Sequence, residues 1–360
     1  MRKQIAYIVT FLLMAFSLPL SASEKSGESE GGKTFNPKET IFEHLLDGYE
    51  WELPFSHEHK ISLPVIVKDY KGDWKVFCSH RLAHGQEYEG FYIAQDGPNK
   101  GKIESVDDQG NRYRPLDLSI TKNVLALIIA ALLCGWCVFS VAHWYKKKHY
   151  KAPRKGVAAI EFLIEFIYTG VIKSTLGDKA PRFAPYLLTI FFFILLMNLL
   201  GLIVIFPGGA NLTGNIAITM VLALCTFIIV NVRGTKEYWK EIFWPDVPLW
   251  LKFPIPIMPL IEVFGIFTKP AALMVRLFAN MMGGHMIILS LISLIFIFGA
   301  FGAVVVGATT VISVLFSLFM LMIDTLVSFI QAYVFTMLST LFISLSQVEG
   351  HHEGKMEKTK

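Results

Sequence analysis

Long uncharged runs alternate with short charged clusters along most of this chain. Residues 124–142 carry no charge, and neither do residues 183–232. A helix needs about 20 apolar residues to cross the hydrocarbon core of a bilayer. The first run predicts one such helix. The second is long enough for two, and Pro207-Gly208-Gly209-Ala210-Asn211 supplies the turn between them. Between these runs, Glu161 and Glu165 sit one turn apart among Phe162, Leu163, Phe166, Ile167 and Tyr168. Residues 157–173 therefore read as an amphipathic helix lying along the membrane face. Five prolines fall in residues 244–259, which predicts a break rather than a helix. Between Arg276 and Asp324 the sole ionisable residue is His285, and after Asp324 no charged residue appears until Glu349. Gly299, Gly302 and Gly307 mark a turn, so this stretch folds as a hairpin. Each arm exceeds a perpendicular span, which requires tilt or a kink. The predicted fold is an all-α polytopic membrane protein with five transmembrane helices, one amphipathic surface helix and a long tilted terminal hairpin.

The flanking segments orient these spans. Arg2 and Lys3, an apolar stretch over residues 5–20, and Ser21-Ala22-Ser23 predict a cleaved signal peptide at residues 1–23; an uncleaved anchor is the alternative. Residues 24–120 form a hydrophilic exported segment that opens on a Ser/Gly/Glu-rich stretch. Ile61-Ser62-Leu63 and Trp74-Lys75-Val76-Phe77 alternate, and Asp107, Gly110 and Asn111 signal turns, so a small, partly β domain is expected there. Lys146, Lys147, Lys148, Lys151, Arg154 and Lys155 follow the first span, and Arg233, Lys236 and Lys240 follow the third. The positive-inside rule makes both loops cytoplasmic. The membrane domain covers residues 121–348 and the polar tail, 349–360, is cytoplasmic. This is the topology of a bacterial inner-membrane protein whose N-terminal segment is periplasmic.

Composition narrows the function. The chain is 53% hydrophobic and 17% charged, against about a quarter charged in a soluble domain. Its net charge of +4 gives no case for nucleic-acid binding. No Gly-rich phosphate loop occurs, and neither a catalytic group nor a cofactor site is expected. Cys134 and Cys137 form a C-x-x-C within an apolar run, where a redox pair would lack an accessible thiol. His57-Glu58-His59 offers two imidazoles, too few for a metal site, and reads as a solvated loop.

Ionisable residues inside a span cost several kcal/mol unless they pair or meet water. At 100° per residue, Glu262, Lys269, Arg276 and Asn280 fall within about 40° of one line along the first arm of the hairpin. His285 points to the opposite side, about 13.5 Å beyond Arg276. The pairs Arg276/Gln331 and His285/Asp324 both centre between residues 303 and 305, within the Gly-rich turn. Folding the hairpin therefore puts Arg276 level with Gln331, and His285 level with Asp324 nearer the outside. Two titratable groups then stand outside an arginine that cannot deprotonate. A plain structural hydrogen bond between His285 and Asp324 is the alternative. Asn198 and Asn215 of the earlier hairpin, like Asn280 and Gln331, also suit interhelical bonding or a water path.

The segment Lys269-Pro270-Ala-Ala-Leu-Met-Val-Arg276-Leu-Phe-Ala-Asn280-Met-Met-Gly-Gly-His285 resembles the signature of subunit a of F-type ATP synthases. Ile330-Gln331-Ala332-Tyr333-Val334-Phe335 and Asn211-Leu-Thr213-Gly214-Asn215 resemble further stretches of that family. The likeness covers roughly residues 117–348. It implies a non-catalytic, proton-conducting stator that works against a ring of c subunits, with the b-subunit stalk as another partner. Protons, or alternatively sodium, are the expected ions. It further implies that Arg276 faces the ring carboxylate, that Asn280, His285, Asp324 and Gln331 line the outer half-channel, and that Glu262 lies near the inner one. Some family members carry Glu at the position of His285 and His at that of Asp324, so acid and imidazole are exchanged here. A proton-coupled secondary transporter is the alternative, against which the lack of an internal repeat argues. The exported segment is longer than in many members, and contact with a neighbouring subunit is its expected role.

Overall fold

The computed structural model describes residues 47–53, 56–95, 97, 99–107, 110–147, 153, 156–203, 209–243, 257–298 and 303–347. The expected signal peptide, the Ser/Gly/Glu-rich stretch, most of the Pro-rich segment and the C-terminal tail lie outside them. The described residues all fall in one compact unit spanning residues 37–360.

The N-terminal part is a β domain built of antiparallel ladders. Strand β1 (Glu50–Leu53) pairs with β2 (Ser56–Ser62). Strand β3 (Pro64–Lys68) lies between β4 (Trp74–Cys78) and β8 (Leu116–Asp117). Strand β6 (Ile103–Val106) lies between β5 (Phe91–Ile93) and β7 (Arg112–Tyr113). Period-two alternation sends Val65, Val67 and Phe77 inward, where they pack with Tyr49, Leu82, Phe91 and Ile103. The tight β3–β4 turn needs Gly72, whose φ of 91° suits a residue without a Cβ. The His57-Glu58-His59 triplet lies in strand β2 and not, as expected, in a loop. Strand β2 pairs with β1 on either side of the triplet, at Ser56 and at Lys60–Ser62, with an irregularity between them.

Helix α1 (Lys122–Lys147) leaves this domain directly. The Lys122 N–H donates to the Gly48 carbonyl (2.9 Å) and the Asn123 N–H to Asp47 Oδ1 (3.1 Å). Two of the four N–H groups that a helix start leaves open are thereby satisfied by the β domain. Trp51 of β1 is buried in the same apolar cluster as Ala126 and Ala130 of α1, and Ile61, its cross-strand partner, packs against that cluster.

Helix α2 (Gly156–Ile167) runs through a π-helical stretch at Tyr168–Lys173 and a short break into α3 (Ala180–Leu202). Gly177, with φ 54°, makes the break. The expected surface helix and the following span are thus segments of one helical run, Gly156–Leu202. The second arm, α4 (Ile216–Val232), begins after a wider connection than the expected turn. Asn215 caps it, its Oδ1 accepting from the Ala217 N–H at 3.0 Å. A bend of 100° then leads to α5 (Lys236–Phe243). The hairpin comprises α6 (Ile257–Ile297, 41 residues) and α7 (Ala303–Ser346, 44 residues). Among the described residues four helical runs are long and apolar enough to cross a membrane, or five if the bent pair α4 and α5 counts as one span. At 1.5 Å per residue, α6 and α7 are each about twice the ~30 Å of a hydrocarbon core.

Helix α3 packs against α1 and α7, and α6 packs between α4 and α7. Phe191 of α3 meets Phe329 of α7 edge-on at 6.0 Å. The far end of α7 is tied down by polar bonds. Lys179 Nζ donates to the Gln347 carbonyl at 2.8 Å, the Thr235 N–H to the Ser346 carbonyl at 2.9 Å, and Gln347 Nε2 to the Arg233 carbonyl. Helix-terminal carbonyls would otherwise stay unsatisfied.

Tyr49 is the polar pin of the β domain. Its hydroxyl donates to Asp117 Oδ2 at 2.5 Å and accepts from the Ile103 N–H at 3.4 Å. Burial, reinforced by the Asp117 carboxylate, pushes the phenol well above its usual range. The folded state therefore holds this proton more tightly than the unfolded chain does. That share of stability is intact below the unfolded tyrosine value near pH 10 and fades as the pH rises beyond it. Tyr49→Phe should cost about 1 kcal/mol at neutral pH and remove this alkaline sensitivity. Limited proteolysis of the β domain in the full chain, at neutral and alkaline pH, measures both effects.

Candidate functional site

The site lies where Asp324 of α7 meets Gly284 of α6. Gly284 has no side chain, and the Asp324 carboxylate fills the space. A Cβ built on Gly284 would stand 2.7 Å from Asp324 Oδ2 and 2.8 Å from Oδ1. Asp324 is thereby brought beside His285, the next residue of α6. His285 Nδ1 donates to the Met281 carbonyl one turn earlier, at 3.2 Å. A carbonyl can only accept, so Nδ1 carries the proton in that bond. The imidazole also lies within reach of the Gly201 backbone, near the end of α3. Gly201 in turn packs directly against the Met281 side chain. Two glycines on neighbouring helices thus make room for one imidazole and one carboxylate.

The carboxylate is incompletely satisfied. Asp324 Oδ2 is buried and finds no hydrogen-bond partner among the described residues, and the same holds for the hydroxyls of Ser313 and Ser317 on the same helix. At 100° per residue, Ser313, Ser317, Asp324 and Gln331 fall within about 40° of one line. Buried polar atoms are ordinarily bonded to protein or water, so this row leaves hydrogen-bonding capacity unmet along one face of α7. The serines escaped the sequence reading, which weighed only titratable and amide groups; their spacing from Asp324 was the available signal.

Asn198 holds the region together from α3. It is buried, its Nδ2 donates to the Ser328 carbonyl at 3.4 Å, and its Oδ1 accepts from the Thr213 hydroxyl at 2.8 Å. Ser328 Oγ donates back to the Asp324 carbonyl at 2.7 Å. Asn198 therefore bridges α3, α7 and the α3–α4 connection one turn from Asp324. Asn215 serves as the cap of α4.

Arg276 lies eight residues before Gly284 and is exposed on α6. Among the described residues it makes no hydrogen bond or ion pair. Farther along, Lys269 Nζ stands 5.9 Å over the ring of Phe342 on α7. This contact and the one at Gly284 bracket Arg276 and Gln331, placing them within about one turn of the same depth. Gln331 is buried, and Asn280 half-buried one turn beyond Arg276. Phe264, Phe267 and Val275 are exposed on the same helix. Arg276 is thus exposed on the face of α6 that it shares with Glu262, Lys269 and Asn280.

A second polar region lies toward the α4–α5 bend. Thr226, Asn231, Tyr238, Lys269 and Phe342 line a narrow cleft of about 20 Å³, room for one water. Asn231 Oδ1 is buried there without a partner among the described residues. Glu262, half-buried, lies near Tyr238. A buried chain of hydroxyls, Tyr186 to Thr226 (3.0 Å) and Thr226 to Ser339 (3.5 Å), joins α3, α4 and α7 behind the cleft.

Two polar regions at different depths, with an arginine between them on a pair of long apolar helices, fit an ion-handling polytopic membrane protein. Residues 124–344 match the family model described as "ATP synthase A chain", and the chain belongs to that family. Residues 40–122 match a domain of unknown function (DUF8433). The chain is 45% identical over 288 residues to "ATP synthase subunit a" of Pelodictyon phaeoclathratiforme, covering 75% of this chain and 80% of that relative. It is 42% identical over 246 residues to "ATP synthase subunit a" of Myxococcus xanthus, covering 66% of this chain and 76% of the relative. It is 43% identical over 249 residues to the protein of that name in Chlorobium phaeobacteroides, covering 66% and 69%.

Gly284→Val should force the Asp324 carboxylate out of its place while leaving the hairpin membrane-inserted. The expected outcome in the assembled complex is loss of proton flux with normal chain abundance, measured by quenching of a pH-sensitive dye in membrane vesicles. Unimpaired flux would show that the close approach at Gly284 is dispensable.

Proposed function

We propose that this chain is the proton-conducting stator of an F-type ATP synthase, carrying two aqueous half-channels that load and unload carboxyl groups on a rotating ring. The observation that carries this reading is Arg276, exposed and without a partner among the described residues, on a long apolar helix. A lipid-facing cation costs several kcal/mol. A carboxylate presented by a neighbouring ring offsets that cost, and ring rotation replaces it with the next one.

A proton enters from the side of the β domain, which is periplasmic in this reading. It follows the row of Ser313 and Ser317 to Asp324 and His285. From there it passes Asn280 and Gln331 and neutralises a ring carboxylate near Arg276. The neutral carboxyl can enter lipid, so the ring advances. On its return it meets the cleft near Asn231, Tyr238 and Glu262 and releases the proton to the cytoplasm. Arg276 cannot deprotonate, so it blocks direct passage between the two paths. Each charge moved down a membrane potential contributes about 2.3 kcal/mol per 100 mV. ATP is made on other chains of the complex, and this one contributes no catalytic group. Its partners are the c ring, the b-subunit stalk and lipid; its place is the bacterial inner membrane, with the C-terminus cytoplasmic.

Arg276→Ala should abolish ATP-driven proton pumping in membrane vesicles, while the soluble sector still hydrolyses ATP and the chain still co-purifies with the ring. Normal pumping by this variant would remove Arg276 from the mechanism. Solute uptake by the chain reconstituted without a ring would favour the transporter alternative.

A further inference from the structure

The sheet formed by β4, β3 and β8 has two faces, and the membrane reading uses neither of them. Val65, Val67 and Phe77 fill the inner face. The outer face is also apolar. Register pairs Ile66 with Val76, and Lys68 with both Trp74 and Leu116. The Leu118 N–H, donating to the Ile66 carbonyl at 2.9 Å, extends the ladder by one pair. The outward set is therefore Trp74, Val76, Ile66, Leu116 and Leu118. Four of these are open to the surroundings: Trp74 is 51% exposed, Val76 68%, Leu116 56% and Leu118 60%. A contiguous apolar sheet face of this kind marks an interaction surface.

Two observations say what covers it. The first is continuity with the membrane-embedded surface. The outward row Leu116, Leu118, Ile120 continues through the short irregular segment 118–121 into α1, which begins at Lys122. The exposed stripe of α1 starts at Val124 and continues through Ile128 and Leu132, at the i, i+4, i+8 spacing of one helix face. The sheet face thus ends where the lipid-facing face of α1 begins. The second is the chemistry of its rim. Lys68 Nζ stands 5.8 Å over the Trp74 ring, and Lys71 Nζ 5.1 Å over the Tyr70 ring. Aromatic rings paired with lysines suit the boundary between hydrocarbon and headgroups, where the ring sits in the interface and the ammonium meets phosphate.

We propose that this face rests on the bilayer, as a monotopic lipid-binding surface on the leaflet from which α1 sets out. Trp74, Val76, Leu116 and Leu118 enter the headgroup–acyl boundary, and Lys68 and Lys71 meet lipid phosphates. The contact fixes the β domain relative to α1, in addition to the backbone bonds at Gly48 and Asp47. It stands apart from the ion path and holds whether or not the stator reading does.

The test is spin-label accessibility in the full chain. In a background with Cys78→Ser, Cys134→Ala, Cys137→Ala and Cys225→Ala, nitroxides are attached at Val76→Cys and, separately, Leu118→Cys. Leu132→Cys on α1 serves as the lipid reference and Glu87→Cys as the water reference. The chain is reconstituted in vesicles of phosphatidylethanolamine and phosphatidylglycerol. The expected result is a shift at both positions from the ratio at Glu87 toward that at Leu132, with oxygen collisions favoured over those of a water-soluble nickel complex. Ratios matching Glu87 at both positions would overturn the proposal. So would labels that are water-accessible in vesicles but shielded from both reagents in the assembled complex, which would assign the face to a protein partner. Because both substituted residues are exposed, the folded core is left intact, and unchanged limited proteolysis of the β domain verifies it.

Discussion

The arrangement depends on how closely α6 and α7 approach at Gly284. An antiparallel helix pair held apart by ordinary side chains could not seat a carboxylate against the partner backbone. Removing one Cβ lets Asp324 reach α6, and the helix geometry that follows sets everything else at its depth. His285 comes beside the carboxylate, Ser317 and Ser313 extend the polar row in one direction, and Gln331 extends it toward Arg276. Gly201 plays the matching part on α3, where it admits Met281 and brings the backbone to the imidazole.

The surrounding packing explains why so polar a seam survives in an apolar bundle. Asn198 spends both ends of its amide on neighbouring elements, and Ser328 returns a bond to the Asp324 carbonyl. Buried polar groups of this kind are tolerated when bonded. The buried side-chain atoms left without partners among the described residues are on the Asp324 carboxylate, the hydroxyls of Ser313 and Ser317, and the amides of Asn211 and Asn231. Arg276 is the opposite case: an exposed cation without a hydrogen bond or ion pair among the described residues.

Much of this was legible in the sequence because lipid imposes strict rules. A spanning segment must satisfy its own backbone, so uncharged runs become helices. An antiparallel hairpin fixes depth by residue count, so the matching of His285 with Asp324 followed from spacing alone. Other features were illegible for equally physical reasons. Residues 157–173 and the next span join into one run because a single residue, Gly177, makes the break; charge pattern alone does not distinguish a broken helix from two helices. The bond from Lys179 to Gln347 links residues 168 positions apart, and no local pattern announces it. His57-Glu58-His59 is polar like a loop, yet it falls within strand β2, whose residues on either side pair with β1. Gly284 stood in the quoted motif, but its role appears only when α7 is laid against it.

The central claim is that His285 and Asp324 act as one proton-handling pair beyond Arg276. Exchanging the two residues tests it most directly, by comparing His285→Asp, Asp324→His and the double variant for ATP-driven proton pumping in vesicles. A double-mutant comparison isolates the coupling between neighbouring groups. The account predicts that each single change stops pumping and that the double variant recovers a substantial part of it. A double variant no better than the worse single would contradict the pairing and leave the two residues as separate elements of the fold.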